Sequence, residues 1–104
     1  MANYVLIYND GKLPKTDAEN EVIMAAWVKW FGDIGAALID AGNPFGKSTA
    51  VATDGTVQAG APSGLTGYTI LSADSLDAAT AWAKNCPHLS SGGIVEVYET
   101  LQVM

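Results

Sequence analysis

Residues 3–8, NYVLIY, form a β-rich run that is apolar on both sides. Successive side chains of a strand point to opposite faces, so Tyr4, Leu6 and Tyr8 share one face and Val5 and Ile7 share the other. An antiparallel strand with one wet face alternates apolar with polar residues. This one does not, so a fold that contains it has to cover it twice.

The rest of the chain offers one cover directly. Asn9-Asp10-Gly11 closes the first strand as a turn signal. Thr16 followed by Glu19 fits a capping box, in which each side chain satisfies a backbone donor at a helix start. Ile23, Trp27, Phe31, Ile34 and Leu38 then recur at helical spacing. Gly42 and Pro44 supply a stop signal, so a first helix is expected over about residues 17–41. Gly32 and Gly35 inside it mark either close approach to a sheet or simple tolerance. Residues 42–67 hold six of the eleven glycines. Within them STAVAT (48–53) reads as a short strand ended by Asp54-Gly55, with TVQ as a brief extension and AGAPSGLTG as a loop. GYTILSA (67–73) is the third strand. Asp74 or Ser75 caps a second helix over 75–85 with Leu76, Ala79 and Ala83 inward, and Pro87 blocks its extension. GIVEVYETL (93–101) is the last strand.

The expected order is β-α-β-β-α-β in a single domain, residues 1–104: an α+β, ferredoxin-like sandwich with a four-stranded antiparallel sheet and two helices on one face. The second cover for strand 1 must then come from elsewhere. A second copy of the same sheet, related by a two-fold axis, is the economical source; the glycine-rich loop folded over the sheet is the alternative. Composition agrees with a partner, since 49% of residues are hydrophobic and only 15% are charged.

Charge excludes other partners. The net charge is −6, with five Lys+Arg and no basic run. A grip on nucleic acid needs several phosphate-neutralising cations on one face, and a basic membrane-surface helix is equally missing. The start, MANYVLIYND, has no basic n-region and only a five-residue apolar run, so no signal peptide is read there. No stretch approaches the length of a membrane span. The single cysteine forms no internal disulfide. A soluble cytoplasmic protein is expected.

The ferredoxin-like order, YVLIYND at the start, LIDAGNPFG after the first helix and GYTILSADSLDAATAWAKNCPHLSSGGIVEVYE at the end resemble the YCII-related family. That family includes the DGPF-domain proteins and belongs to the dimeric α+β barrel superfamily. The resemblance implies this fold and a homodimer joined through sheet faces. It also implies a superfamily that contains isomerases, lyases and cofactor-free monooxygenases. The chain departs from the pattern twice. QAGAPSGLTG stands where the Asp-Gly-Pro-Phe stretch belongs. Some members carry a catalytic histidine in the first helix and an aspartate before the proline that follows the second. Here the first helix has no histidine, and Cys86 precedes Pro87. The pair is not present in its usual form, and its activity does not carry over.

Chemistry has few carriers in this chain. His88 is the only histidine and lies two residues from Cys86, the only cysteine. The thiol could be a nucleophile with the imidazole as base, or His88 alone a general acid or base. Against this, Cys86 packs well as a small hydrophobe, and His88 suits a backbone carbonyl or the end of a helix. Glu96, between Ile94 and Tyr98, is a weaker candidate: an interior carboxylate needs a partner, whereas on an edge strand it merely faces solvent. Tyr68, Trp30 and Tyr8 are candidate walls of a small-molecule cleft; Trp27 and Trp82 read as core. One His and one Cys do not make a structural zinc site. The glycine spacings in 55–67 lack the Lys-Ser/Thr of a phosphate loop, so neither metal nor cofactor is expected. Two readings remain: a cofactor-independent acid/base enzyme acting on a small organic molecule, and a non-catalytic small-molecule-binding or structural homodimer. They differ in what surrounds His88, an open cavity with Tyr68 or a carboxylate in the first, backbone or solvent in the second.

Overall fold

In the computed structural model, residues 1–103 are described. The elements follow as β1 (Ala2–Asp10), α1 (Asp17–Ile34), β2 (Leu38–Asp40), β3 (Thr49–Val51), β4 (Val57–Ala59), β5 (Leu65–Ala73), α2 (Leu76–Ala83) and β6 (Gly93–Glu99), with short 3-10 turns over Gly35–Ala37 and Pro87–Ser91. Four strands form an antiparallel sheet in the order β2-β5-β1-β6, and β3 pairs only with β4. Without that small ribbon the order is the expected β-α-β-β-α-β.

Thr16 caps α1 as expected, and of the two candidates for α2 the cap is Ser75. The Thr16 hydroxyl accepts the Glu19 N–H at 3.1 Å, but the Glu19 carboxylate accepts the Lys15 N–H at 2.7 Å in place of the Thr16 N–H of a regular capping box. Ser75 caps α2 through the Ala78 N–H at 3.1 Å. The middle of the chain differs from expectation. Helix α1 stops at Ile34, not near residue 41, because Gly35 turns to φ 64° and its N–H closes back on the Phe31 carbonyl. That conformation suits glycine and few other residues. Gly35 is therefore a helix stop, and a Cβ at Gly32 would meet nothing within 4 Å; neither glycine marks an approach to the sheet. Leu38–Asp40, expected as helix, becomes β2 and pairs with Leu71 and Ile70 of β5. Gly42 ends that strand. It sits at φ 80°, and a Cβ there would lie 1.6 Å from the Tyr68 carbonyl oxygen. STAVAT, expected in the main sheet, instead folds onto Val57–Ala59 as a separate ribbon.

Both helices pack on one face of the sheet. Tyr4, Leu6 and Tyr8 of β1 are buried there with Thr69, Leu71 and Ala73 of β5, Trp30 and Ile34 of α1, and Ala79 and Ala83 of α2. The other face carries Val5 and Ile7 in register with Ile70, Tyr68, Tyr98 and Glu96. None of the described residues forms a layer over it, and Ile94 and Tyr98 at its β6 edge are 51% and 52% exposed. The molecule is a plate of 44 × 41 × 18 Å with a radius of gyration of 15.2 Å. A compact chain of this length would have a radius of about 13 Å. Among the described residues no helix is long and apolar enough to cross a membrane.

Candidate functional site

His88 sits where the turn after α2 meets the end of β1. Its Nε2–H donates to the Asn9 carbonyl oxygen at 2.7 Å. A carbonyl only accepts, so this bond fixes the proton on Nε2. The ring lies against Tyr8, with centroids 5.2 Å apart. Two glycines make room for it: a Cβ on Gly11 would come within 2.7 Å of the ring, and one on Gly93 within 2.0 Å. The Lys12 N–H to Ser91 carbonyl bond, 2.8 Å, runs beside it. Together these bonds clasp the Pro87–Ser91 turn to the end of β1, with backbone rather than a carboxylate as the partner of the imidazole.

Cys86 is 2% exposed. Burial pushes its thiol up to about 11, offset in part by the neighbouring His88 backbone N–H and Tyr8 hydroxyl. At neutral pH it is a thiol and not a thiolate, which is the opposite of an activated nucleophile. Tyr8 is also buried, and desolvation raises its hydroxyl well above the usual phenol range. That hydroxyl donates to Thr69, whose own hydroxyl donates to the Ala41 carbonyl at 2.9 Å. The chain of bonds satisfies polar atoms under the sheet and ends on backbone. Trp30 is buried as well, its indole N–H donating to the Trp82 carbonyl at 3.1 Å.

Glu96 and Tyr68 lie on the opposite, open face. Glu96 accepts from Asn9 Nδ2 at 3.2 Å and from the Tyr98 hydroxyl at 3.3 Å. Asn9 Oδ1, beside it, is buried and has no donor among the described residues. Tyr68 donates to Asp40 at 3.3 Å and stacks on Phe45, ring centroids 5.7 Å apart and planes 22° from parallel. The sheet thus divides the sequence candidates: His88, Cys86, Tyr8 and Trp30 on the helix side, Glu96 and Tyr68 on the other.

Two open hollows flank these groups. One, of about 350 Å3, is lined by Phe45, Lys47, Ser48, Ala61, Ser63 and Leu65 at the root of the β3–β4 ribbon. The other, of about 330 Å3, lies between α1 and the end of α2 beside Trp30, Asp33, Trp82 and Asn85. The first combines an aromatic plate, an ammonium group and hydroxyls, a set that suits a small planar organic anion. Phe45 and Lys47 were absent from the sequence candidates, because their place at the mouth of the loop depends on a ribbon that the sequence pattern did not separate from the main sheet. Among the described residues no group of three or more His, Cys, Asp and Glu side chains could hold a metal ion.

A family model described as the YCII-related domain matches residues 4–103. A search of curated proteins returned no match. Among solved structures, the chain is similar to 5-chloro-2-hydroxyhydroquinone dehydrochlorinase (TftG) from Burkholderia phenoliruptrix, in complex with 2,5-dihydroxybenzoquinone. The identity is 21%, the TM-score 0.51, and the match covers 89% of this chain and 90% of that one. At that identity the likeness speaks for the fold.

Proposed function

From the premise that the chain belongs to the YCII-related domain family, we propose that it is a homodimer that binds a small organic molecule, with His88 serving the fold and not proton transfer. The observation that carries this reading is the commitment of His88 Nε2 to the Asn9 carbonyl between two glycines. A general base has to present a free lone pair to its substrate; the one this ring retains, on Nδ1, lies against Gly11 and lines neither hollow. The buried, protonated thiol of Cys86 adds no nucleophile. The hollow at Phe45 and Lys47 is the binding site, backed by Tyr68 through its stack on Phe45. The bare face of the sheet and the flatness of the plate support the homodimer.

Sedimentation at micromolar concentration and a thermal-shift screen against small planar acids test both parts. The expected outcome is a particle of twice 10.8 kDa, stabilised by a ligand whose effect is lost in Phe45→Ala and kept in His88→Ala. A chemical turnover that disappears in folded His88→Ala would overturn the reading.

Two observations favour a catalytic alternative. The similar solved structure is that of a dehydrochlorinase, and Glu96 holds a carboxylate beside Asn9 Oδ1, an acceptor with no donor among the described residues. In that case Glu96 is the acid or base, and turnover falls in Glu96→Gln while binding at Phe45 remains.

A further inference from the structure

Residues 49–59 form a two-stranded ribbon whose strands pair with each other and with no other strand. A lone ribbon of this size is marginal in water. Val51 pairs with Val57 and Thr49 with Ala59, so one face of it is an apolar stripe. The two valines are 68% and 66% exposed. Exposed ribbons are usually protected by charge along their edges. Here Asp54, at the turn, is the one charged residue between Lys47 and Asp74.

The root of this arm is tied to the β5 backbone at the edge that β2 occupies. Pro44 bridges to Gly67, and the Phe45 N–H donates to the Thr66 carbonyl at 2.8 Å. Phe45 then stacks on Tyr68, an open-face residue in register with Ile7. The arm therefore continues the open face beyond the β2 edge. At the far edge, β6 leaves Ile94 and Tyr98 half bare.

We propose that the arm embraces a second copy of this chain, laying its Val51–Val57 stripe over the Ile94–Tyr98 edge of the partner's sheet. The inference rests on the homodimer reading above and names the contact that makes it. A two-fold axis parallel to the strands sets each β2 edge above the other copy's β6 edge, so both bare patches of each chain are buried by one operation. Area points the same way. The three long strands project a footprint of about 30 by 15 Å, roughly 450 Å2. A stable interface buries about 800 Å2 of accessible surface per partner. Side-chain relief raises the first figure, and the arm supplies the remainder. In this arrangement the hollow at the arm root lies under the partner's β6 edge, which makes it a site between two chains.

The test pairs sedimentation equilibrium of wild type and Val51→Ser/Val57→Ser with amide hydrogen exchange across residues 49–59. Both substitutions are on an exposed ribbon, so the monomer fold, followed by circular dichroism, stays intact. The expected result is a wild-type dimer, a dissociation constant raised at least about tenfold in the variant, and arm amides that slow in exchange as the concentration passes the dimer midpoint. A wild-type dimer with an unchanged constant in the variant overturns the arm and leaves the homodimer standing. A wild type that stays monomeric at all concentrations removes both.

Discussion

The two faces of β1 are built from similar residues and meet different surroundings. Tyr4, Leu6 and Tyr8 lie under α1 and α2 and are shut off from water. Val5 and Ile7 lie in register with Tyr98, Ile70, Glu96 and Tyr68 on a side that no element among the described residues covers. The helix side is finished within one chain: its hydroxyls, indole and imidazole reach backbone, each other or, for Tyr4, the Glu99 carboxylate. The open side is not, since it keeps a buried acceptor without a donor at Asn9 and two half-bare large side chains at Ile94 and Tyr98. Hydrophobicity alone therefore does not distinguish the core of a monomer from a surface that awaits a second chain. Polar satisfaction does.

The largest effect separates the faces directly. Leu6→Ala removes a fully buried side chain and is expected to cost about 2–5 kcal/mol of unfolding free energy, the same at every protein concentration. Val5→Ala, one residue away on the open side, is expected to cost less than about 1 kcal/mol in dilute monomer. Its larger effect should appear as weaker self-association. Urea unfolding below and above the dimer midpoint checks both. Equal costs for the two variants in dilute solution would break the distinction between the faces.

A second, smaller effect concerns the clasp at His88. Gly93 has ordinary strand geometry, so alanine there is opposed by the ring and not by the backbone: its Cβ would sit 2.0 Å from Nε2. Expelling the ring sacrifices the bond to Asn9, and Gly93→Ala should destabilise by about 2 kcal/mol. In a His88→Ala background the same change should cost less than about 0.5 kcal/mol, a coupling that a double-mutant cycle reads directly. Undiminished cost in that background would mean that the ring is not what Gly93 accommodates.

These particulars also show where reading from sequence stops. β1, α2 and the two caps were legible because local signals carry them: an apolar run closed by Asn-Asp-Gly, and hydroxyls three residues before an N–H they accept. The end of α1 was not, since Leu38, Ile39 and Asp40 suit helix and strand alike. Gly35 settles the matter through a positive φ that the letter G permits but does not announce. The ribbon departs from expectation for a related reason. STAVAT is a good strand, and only the pairing of Val51 with Val57 shows that its neighbour is the segment just past the turn. Of the site, residue types were visible and sides were not. Cys86 as a packed thiol and His88 on a carbonyl stood among the open readings, whereas the separation of Glu96 and Tyr68 from both by the sheet depends on strand order, a long-range property. Phe45 and Lys47 are positioned by the ribbon, so their place is no more legible than its pairing.

The smallest effect is confined to alkaline pH and again belongs to the finished side. Burial raises the Cys86 thiol from 9.0 to about 11 and raises the Tyr8 hydroxyl beside it as well. For each group the folded state holds its proton to higher pH than the unfolded chain does. Between about 9 and 11 the native protein thus binds more protons, and linkage requires stability to fall as pH rises. Below the unfolded value the contribution is complete. Wild type should therefore lose stability across this window, followed as the urea midpoint at stepped pH. Cys86→Ala should start lower at pH 8, having lost a packed side chain, and decline less steeply, so that the two curves converge toward pH 11. A thiol on the open side, in contact with water, would leave the slope unchanged on removal; parallel curves for wild type and Cys86→Ala would accordingly place Cys86 outside the sealed core and undo the contrast between the faces at that position.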